Sequence, residues 1–310
     1  MKVPIIFTID QAMEVPAGVC ITSLLENALP DTFYDIIILH GPGSDFTSSP
    51  LQGIPVRYSN CTLSFRKVIG EFVGGYEIRG IPETAYYRLV SPEIVREYDK
   101  YLYSDVDVIF REDLSSYFNI DLEDNYFGAV ETCSPLRPSY QKYLQKEYAY
   151  DYRDGYYYSG NLIINAKRLL EGNKIQEFRR LGKNKYHQQD MTIMNLACRG
   201  KILPLSPAYC VTTSILDLII HQKDRMMMLY GQKEIERALT VGTIHYNGAK
   251  PWKELTLNMD LWWTYYRRSI FWSENDSFAF WDEQRMRLVK MPFLKRLKML
   301  LRYPLDRKEW

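Results

Sequence analysis

The stretch 101–110 reads YLYSDVDVIF and carries two carboxylates, Asp105 and Asp107, within an otherwise apolar run. Because burying an unpaired charge is costly, two acids in such a run indicate a chemical purpose. On an extended chain, side chains at positions i and i+2 share one face and lie about 6–7 Å apart. Both carboxylates could then bind one Mg²⁺ or Mn²⁺ ion that also holds a substrate diphosphate. The alternative is a pair of solvated aspartates in a turn at a strand end.

An Asp-x-Asp after an apolar strand also occurs in phosphatases that use an aspartate as nucleophile. That chemistry needs a second acidic motif downstream, and no Asp-Asp pair or suitable Gly-Asp stretch follows in this sequence. Metal binding is therefore preferred over phosphatase chemistry for these two residues, while the alternative of solvated turn aspartates stays open.

A second informative stretch, HYNGAKPW at 245–252, follows a predicted strand over 241–244. An imidazole at a strand end, here His245, can be a third ligand for a Mn²⁺-like ion. Gly248 allows the backbone to approach a phosphate closely, and Lys250 supplies a positive charge for that phosphate. A lone histidine is more often structural, so the prediction depends on this combination in a chain that already contains the two aspartates.

Short apolar strands alternate with helical segments along the chain, which predicts an α/β fold with a mixed, mostly parallel sheet flanked by helices. In such sheets the ligand crevice lies beyond the carboxyl ends of the strands. The predicted helices are one opened by Pro16 and two over 83–90 and 188–199, the last followed by Gly200. The predicted strands cover residues 3–9, 35–40, 54–58, 100–110, 126–131, 161–166, 201–205 and 241–246.

Composition and charge exclude several classes of protein. The 310 residues are 46% hydrophobic and 25% charged with a net charge of +1, so a nucleic-acid partner is not expected. Five cysteines without CxxC spacing argue against a disulfide framework or a zinc knuckle and favour a reducing compartment. Neither a signal peptide nor a membrane span is predicted. These features predict a cytoplasmic protein, either soluble or bound at the inner face of a membrane.

Aromatic and then basic residues dominate after residue 255, which predicts a catalytic domain over 1–255 and a helical C-terminal appendage over 256–310. Residues 285–310 contain nine Lys or Arg against Asp306 and Glu309, interleaved with apolar residues. This pattern is typical of a basic amphipathic segment on an anionic membrane surface, a peripheral contact. The alternative is a terminal helix packed on its own domain.

Six segments of the chain resemble, in the same order, the landmarks of glycosyltransferase family 8. They are IIFTIDQAMEVPAGVCITSLLEN, TAYYRLVSPEIV, KYLYSDVDVIFREDL, YYYSGNLIINAKRL, HQQDMTIMN and HYNGAKPW, between about residues 3 and 255. This retaining family includes glycogenin and bacterial lipopolysaccharide galactosyl- and glucosyltransferases. The resemblance implies a GT-A fold, a Mn²⁺ (or Mg²⁺) ion, a UDP-sugar donor and a carbohydrate-bearing acceptor.

The resemblance also implies roles for individual residues. The metal ligands would be Asp105, Asp107 and His245, and the side chain on the β-face of the anomeric carbon would be Gln189. The residues around the donor nucleotide, its diphosphate and its sugar would be Thr8, Ile9, Asp10, Met13, Arg88, Val106, Ser159, Gly160, Gly248 and Lys250.

Two positions depart from the family pattern. Met13 stands where the family often has a tyrosine that stacks on uracil, and Gln188 stands where it often has an acid. A methionine can still pack on a base, whereas the second change puts the identity of the donor sugar in doubt.

The expected reaction transfers a hexose to a glycan, glycolipid or glycoprotein acceptor, for lipopolysaccharide or another cell-surface glycan. Retention by double displacement needs a carboxylate nucleophile, and Gln189 is a poor one, so front-face attack is favoured. Asp190 is the nearest carboxylate and an alternative nucleophile. The competing hypotheses are a nucleotidyltransferase, although FTIDQAMEVP lacks the usual Gly-rich basic loop, and a non-catalytic nucleotide-sugar-binding protein.

Overall fold

A computed structural model describes residues 1–78 and 82–297. This part of the chain forms ten strands and thirteen α-helices. The strands are β1 (Lys2–Ile9), β2 (Phe33–His40), β3 (Cys61–Lys67), β4 (Lys100–Ser104), β5 (Val108–Ile109), β6 (Phe127–Glu131), β7 (Tyr157–Asn165), β8 (Ile202–Leu205), β9 (Val211–Thr212) and β10 (Ile244–His245). The helices are α1 (Glu14–Glu26), α2 (Ile54–Arg57), α3 (Tyr87–Ile94), α4 (Ser115–Phe118), α5 (Pro138–Tyr148), α6 (Ala166–Glu171), α7 (Lys174–Leu181), α8 (Gln189–Ala197), α9 (Thr213–His221), α10 (Lys223–Tyr230), α11 (Gln232–Thr240), α12 (Met259–Arg268) and α13 (Glu274–Lys290).

The main sheet has seven strands in the order β3-β2-β1-β4-β7-β6-β8. All neighbouring pairs are parallel except those of β7, which is antiparallel to both β4 and β6. A second, three-stranded sheet has the order β5-β10-β9. The prediction of a mixed, mostly parallel sheet flanked by helices is confirmed.

Strand β1 shows why the apolar runs become central strands. Seven of its eight residues are buried, because helices cover both faces of the sheet. Ile5 and Phe7 pack in one core with α1, whereas Ile6 faces the opposite core with α3. A strand that is buried on both faces reads as a continuous apolar run rather than an alternating one.

The single strand predicted over 100–110 is wrong in one respect that matters for the site. Strand β4 pairs with β1 and β7 only as far as Ser104, and β5 pairs antiparallel with β10 in the second sheet. The chain therefore changes sheets between these strands, and Asp105 and Asp107 lie in the bend instead of on an extended strand. The strand predicted over 241–246 is also shorter than expected. Only two residues, those of β10, pair in the small sheet.

The strand predicted over 54–58 is also wrong, since this segment forms the short helix α2. Pro50 begins a single turn that the Ser49 hydroxyl caps, and Pro55 lies in the first turn of α2, where a proline is well tolerated. Val56 is 91% exposed, so this apolar run is not a buried one. The third parallel strand is β3, which pairs with β2 over its whole length.

Two other boundaries shift by a few residues. Strand β7 begins at Tyr157 rather than at 161, so Ser159 and Gly160 lie within this strand. Helix α8 begins at Gln189, and Gly200 beyond its end has a φ of 72°, the left-handed conformation expected of a glycine there.

The C-terminal helices pack on the rest of the described chain. Trp262 and Phe280 belong to the same core as β1 and α1, and the Asn27 side-chain amide donates to the Tyr265 hydroxyl at 2.7 Å. Residues 298–310, half of the predicted basic tail, lie outside the described residues. Among the helices described, none is both long enough and apolar enough to cross a membrane.

Candidate metal and diphosphate site

Three side chains that the sequence analysis proposed as metal ligands meet at the bend between β4 and β5. One ligand atom each from Asp105, Asp107 and His245 lies within 4.8 Å of the other two. The His245 Nε2 atom is 3.2 Å from Asp107 Oδ1 and 3.6 Å from Asp105 Oδ2. The register of the small sheet causes this meeting, because His245 pairs directly with Val108, the residue after the second aspartate.

Gly160 on β7 forms the wall beside these three groups. Its carbonyl accepts from the Asp105 amide at 2.7 Å, which ties the bend to the main sheet. A Cβ atom added at Gly160 would lie 2.2 Å from the Cε1 atom of His245 and 2.8 Å from Asp105 Oδ2. The space between the three polar side chains therefore exists only because residue 160 has no side chain.

Lys250 reaches the same cluster from the loop that follows β10. Its Nζ atom donates to a carboxylate oxygen of Asp107 and to the Tyr246 carbonyl, the latter at 2.6 Å. Gly248 is exposed in the same loop, two residues earlier. The predicted phosphate-binding lysine and the predicted metal ligand are thus direct neighbours.

Charge pairing dominates the electrostatics of Asp107. Burial acts to raise the pKa of this carboxyl, but His245 and Lys250 together hold the pKa well below its usual range. Burial acts to lower the pKa of His245, and Asp107 raises it well above the usual value. Asp107 is therefore ionised at neutral pH, the state that a metal ligand requires.

Arg88 is a buried cation shared between two carboxylates. Its Nη2 atom is 2.8 Å from Asp105 Oδ1, and its Nε atom is 3.2 Å from Asp190 Oδ2. The guanidinium also donates to the Ser159 carbonyl at 2.6 Å and lies 4.5 Å over the centre of the Tyr103 ring. Burial raises the pKa of Asp190 against the opposing effect of Arg88.

Gln189 lies beside this group at the start of α8, with a φ of 43°. Its side-chain amide donates to the Tyr76 carbonyl at 2.8 Å, so the segment before α3 contacts the site here. The neighbouring Gln188 bonds to the Tyr140 hydroxyl through both its amide oxygen and its amide nitrogen, at 3.1 and 2.9 Å.

The remaining predicted residues are brought to the site to different degrees. The Thr8 hydroxyl is 2.8 Å from the Tyr103 hydroxyl, which in turn donates to Asp105 at 2.9 Å. Ile9 and Val106 are 1% and 4% exposed and pack in the core, so only their backbones can face a ligand. Asp10 and Met13 lie just beyond the carboxyl end of β1. The Asp10 side chain accepts a hydrogen bond from the Met13 amide and caps a turn there.

Two residues at this site were missed by the sequence analysis. Tyr103 connects Thr8 to Asp105 and packs under Arg88. Its position near the end of the predicted strand, two residues before Asp105, was a usable signal. Cys210 Sγ is 3.5 Å from the Nδ1 atom of His245. No spacing in the sequence indicates that contact, because it depends on the pairing of β9 with β10.

Comparison with known proteins places this geometry in a family. The model of the family described as "Glycosyl transferase family 8" matches residues 4–256, so the chain belongs to this family. The chain is 25% identical over 283 residues to the glycosyltransferase GlyF of Streptococcus pneumoniae serotype 4, covering 88% of this chain and 63% of that protein. It is 23% identical over 210 residues to the lipopolysaccharide 1,2-glucosyltransferase of Escherichia coli, covering 63% of this chain and 59% of that enzyme.

The chain therefore matches less than two thirds of the length of these curated relatives. Among solved structures, the galactosyltransferase LgtC in complex with donor and acceptor sugar analogues superposes with a TM-score of 0.71 at 22% identity. That comparison covers 88% of this chain and 98% of LgtC. It confirms the expected GT-A fold.

We expect Gly160→Ala to disturb the cluster of ligands directly. The new methyl group would overlap His245, which forces a shift in the imidazole or in the strand and costs about 1–3 kcal/mol in the free energy of unfolding. Urea unfolding and Mn²⁺ titration would measure this, with weaker Mn²⁺ binding as the expected result. Gly43→Ala is the matched control, because a Cβ there meets nothing within 4 Å. Equal Mn²⁺ affinity in both variants would contradict the assignment.

Proposed function

We propose that the chain is a retaining hexosyltransferase that uses a UDP-sugar donor and a divalent cation, Mn²⁺ or Mg²⁺. The acceptor would be a glycan, glycolipid or glycoprotein. The observation that carries the proposal is the convergence of Asp105, Asp107 and His245 within 4.8 Å, with Lys250 and Arg88 in contact with the two aspartates. Family membership supplies the reaction class, and these five side chains supply the chemistry.

The three ligand groups fit a divalent cation of this type. Two carboxylates and one imidazole suit Mn²⁺, and the absent side chain at Gly160 leaves room beside them. When bound, the ion would neutralise charge on the donor diphosphate, while the open side of the cluster would admit the phosphate oxygens.

Lys250 and Arg88 would stabilise the departing UDP. Both cations are already held by carboxylates, Lys250 by Asp107 and Arg88 by Asp105 and Asp190. Cations that are fixed before the reaction stabilise developing negative charge without a reorganisation cost. Gly248 would let the backbone of the same loop approach the β-phosphate.

The arrangement around Asp190 favours front-face attack over double displacement. Asp190 is 6% exposed and paired with Arg88, so it is poorly placed to act as a free nucleophile. Gln189, whose amide donates to the Tyr76 carbonyl, offers only a neutral side chain. In front-face attack the acceptor oxygen bonds the anomeric carbon as the carbon–phosphate oxygen bond breaks. The leaving phosphate oxygen takes the acceptor proton.

The donor nucleotide would lie at the carboxyl end of β1, beside Thr8, Ile9, Asp10 and Met13, with Val106 contributing its backbone. Ser159 and Gly160 would lie beside the donor sugar. Relatives named as a glucosyltransferase and a galactosyltransferase support a hexose as that sugar and a cell-surface glycan as the product.

The competing hypotheses are less well supported. The family match favours sugar transfer over nucleotidyl transfer. Turnover in a hydrolysis screen over UDP-sugars would exclude a non-catalytic nucleotide-sugar-binding protein, and the same screen would identify the donor.

We expect Asp107→Asn to weaken UDP binding in the presence of Mn²⁺ by at least about tenfold, because the change removes a charged metal ligand. Calorimetry with UDP, with and without Mn²⁺, measures the effect. The control is Asp124→Asn, since Asp124 is 71% exposed and pairs only with surface residues in the described chain. UDP binding that is independent of Mn²⁺ and unchanged by Asp107→Asn would contradict the proposal of a metal-dependent donor site.

Retention predicts the anomer that is first released from the donor. With an α-linked UDP-hexose, proton NMR of the early hydrolysis or transfer product should show the α-anomer before mutarotation. Wild-type protein and Asp124→Asn should give the same product. An initial β-anomer would contradict both front-face attack and double displacement at Asp190.

We also propose that helix α13 carries the peripheral membrane contact. Ser277, Phe280 and Gln284 face the protein, which agrees with the alternative of a helix packed on its own domain. Phe278 and Trp281, which are 73% and 42% exposed, lie beside that face, and the Trp281 ring also packs against Trp263. Residues 285–297 then contain five Lys or Arg and no acid. An exposed apolar stripe beside such charge suits an anionic lipid surface.

Replacing both Phe278 and Trp281 with serine should weaken co-sedimentation with vesicles that contain phosphatidylglycerol by at least about fivefold, because apolar area no longer enters the interface. The matched control replaces Ile220 and Met228, which are 57% and 86% exposed, with serine. Binding should also fall at high salt. Equal binding of the two double variants, or no preference for phosphatidylglycerol over phosphatidylcholine, would argue against the proposal.

A further inference from the structure

A cavity of about 900 Å³ lies at the β8 edge of the main sheet. Its volume is within the range of about 300–1,000 Å³ that is usual for small-ligand sites. Leu203 and Leu205 of the edge strand form part of its floor. The polar and aromatic groups that matter for recognition are Glu131, Tyr152, Tyr157, Tyr209, Glu234 and Arg237.

The charged groups of this cavity are already paired within the protein, including Arg153 with Asp151 and Asp154 with Arg199. Arg237 donates to Glu112 at 2.7 Å and lies 4.6 Å over the centre of the Tyr209 ring. Glu234 accepts from the Ser206 hydroxyl. Because three acids line the cavity against two arginines, the walls do not favour a phosphate or another strong anion.

Tyrosine and carboxyl groups instead suit a ligand with hydroxyl groups and apolar faces. A tyrosine offers a flat apolar ring and a hydroxyl that both donates and accepts. The half-buried Tyr152 is the lining tyrosine best placed to do so, since the Tyr209 ring already stacks on Tyr117 and lies under Arg237. Glu131 accepts from the Ser134 amide at 3.1 Å, and burial raises the pKa of this carboxyl. Together these groups match a neutral sugar ring better than a nucleotide or a lipid chain.

Two chain segments connect the cavity to the metal cluster. Tyr157 lines the cavity at the start of β7, and Gly160 stands three residues later on the same strand, about 10 Å away for an extended chain. Tyr209 also lines the cavity, and the next residue, Cys210, contacts His245. A single oligosaccharide can therefore span the distance between them.

We propose that this cavity binds a neutral saccharide, namely a unit of the acceptor glycan remote from the hydroxyl group that is glycosylated. Its role as an acceptor subsite rests on the proposed function, whereas saccharide binding itself does not. Binding energy from a remote part of an acceptor can position the reacting hydroxyl group.

The test is calorimetry of lactose and of maltotriose with the full chain, in the absence of UDP and metal. Leu229 lines the cavity and is 41% exposed, so Leu229→Trp fills the space without burying a new group in the core. Met228 precedes it on α10 and is 86% exposed, outside the cavity, which makes Met228→Trp the control. We expect Leu229→Trp to weaken binding of at least one sugar by about tenfold or more, and Met228→Trp to leave it unchanged.

Each result decides the proposal. Wild-type protein that binds neither sugar, or Leu229→Trp that binds as tightly as wild type, overturns it. Equal loss in both tryptophan variants also overturns it, because the effect would not depend on the cavity. UDP binding with Mn²⁺ should be the same in wild type and both variants. Saccharide binding that only Leu229→Trp removes, in a protein that binds no UDP, would support the cavity and contradict the donor proposal.

Discussion

The site depends on placing two carboxylates side by side and then neutralising them. The chain leaves the main sheet at Ser104, and the bend that follows brings Asp105 and Asp107 next to each other. Their repulsion is offset by groups from separate elements: Arg88 beside the first aspartate, and Lys250 with the His245 imidazole beside the second. Like charges at such a distance repel strongly in a buried setting. A helix, a strand and a loop must therefore each place a neutralising side chain next to the two aspartates.

This balance explains several details that otherwise look unrelated. Gly160 has to lack a side chain because the imidazole and a carboxylate occupy the space where a Cβ would lie. Tyr103 supports Asp105 by a hydrogen bond and Arg88 by its ring, so one residue holds both members of an ion pair. In the function proposed above, a divalent cation would bind the carboxylates and a diphosphate would pair with the cations of this same group.

Substrate contacts would then be distributed over the carboxyl edge of the sheet. The proposed donor residues surround the ends of β1, β4 and β7, and the cavity beside β8 lies farther along the same edge. The C-terminal helices pack against α1 through a core that includes Trp262. We propose that residues 256–310 form an appendage to the domain over 1–255. Its described part, 256–297, packs on that domain through this core, and the exposed residues of α13 remain available to a membrane.

The sequence by itself determined the alternation of strands and helices, the aspartate pair and the segments that carry the family pattern. Continuous apolar runs such as β1 predict central strands because only burial on both faces accommodates them. The tertiary structure alone decided that the aspartates lie in a bend, that β3 rather than α2 extends the sheet, and that Cys210 meets His245. It also paired Arg88 with two carboxylates. These outcomes depend on register between strands that are distant in the chain, and residue spacing along one segment carries no information about that register.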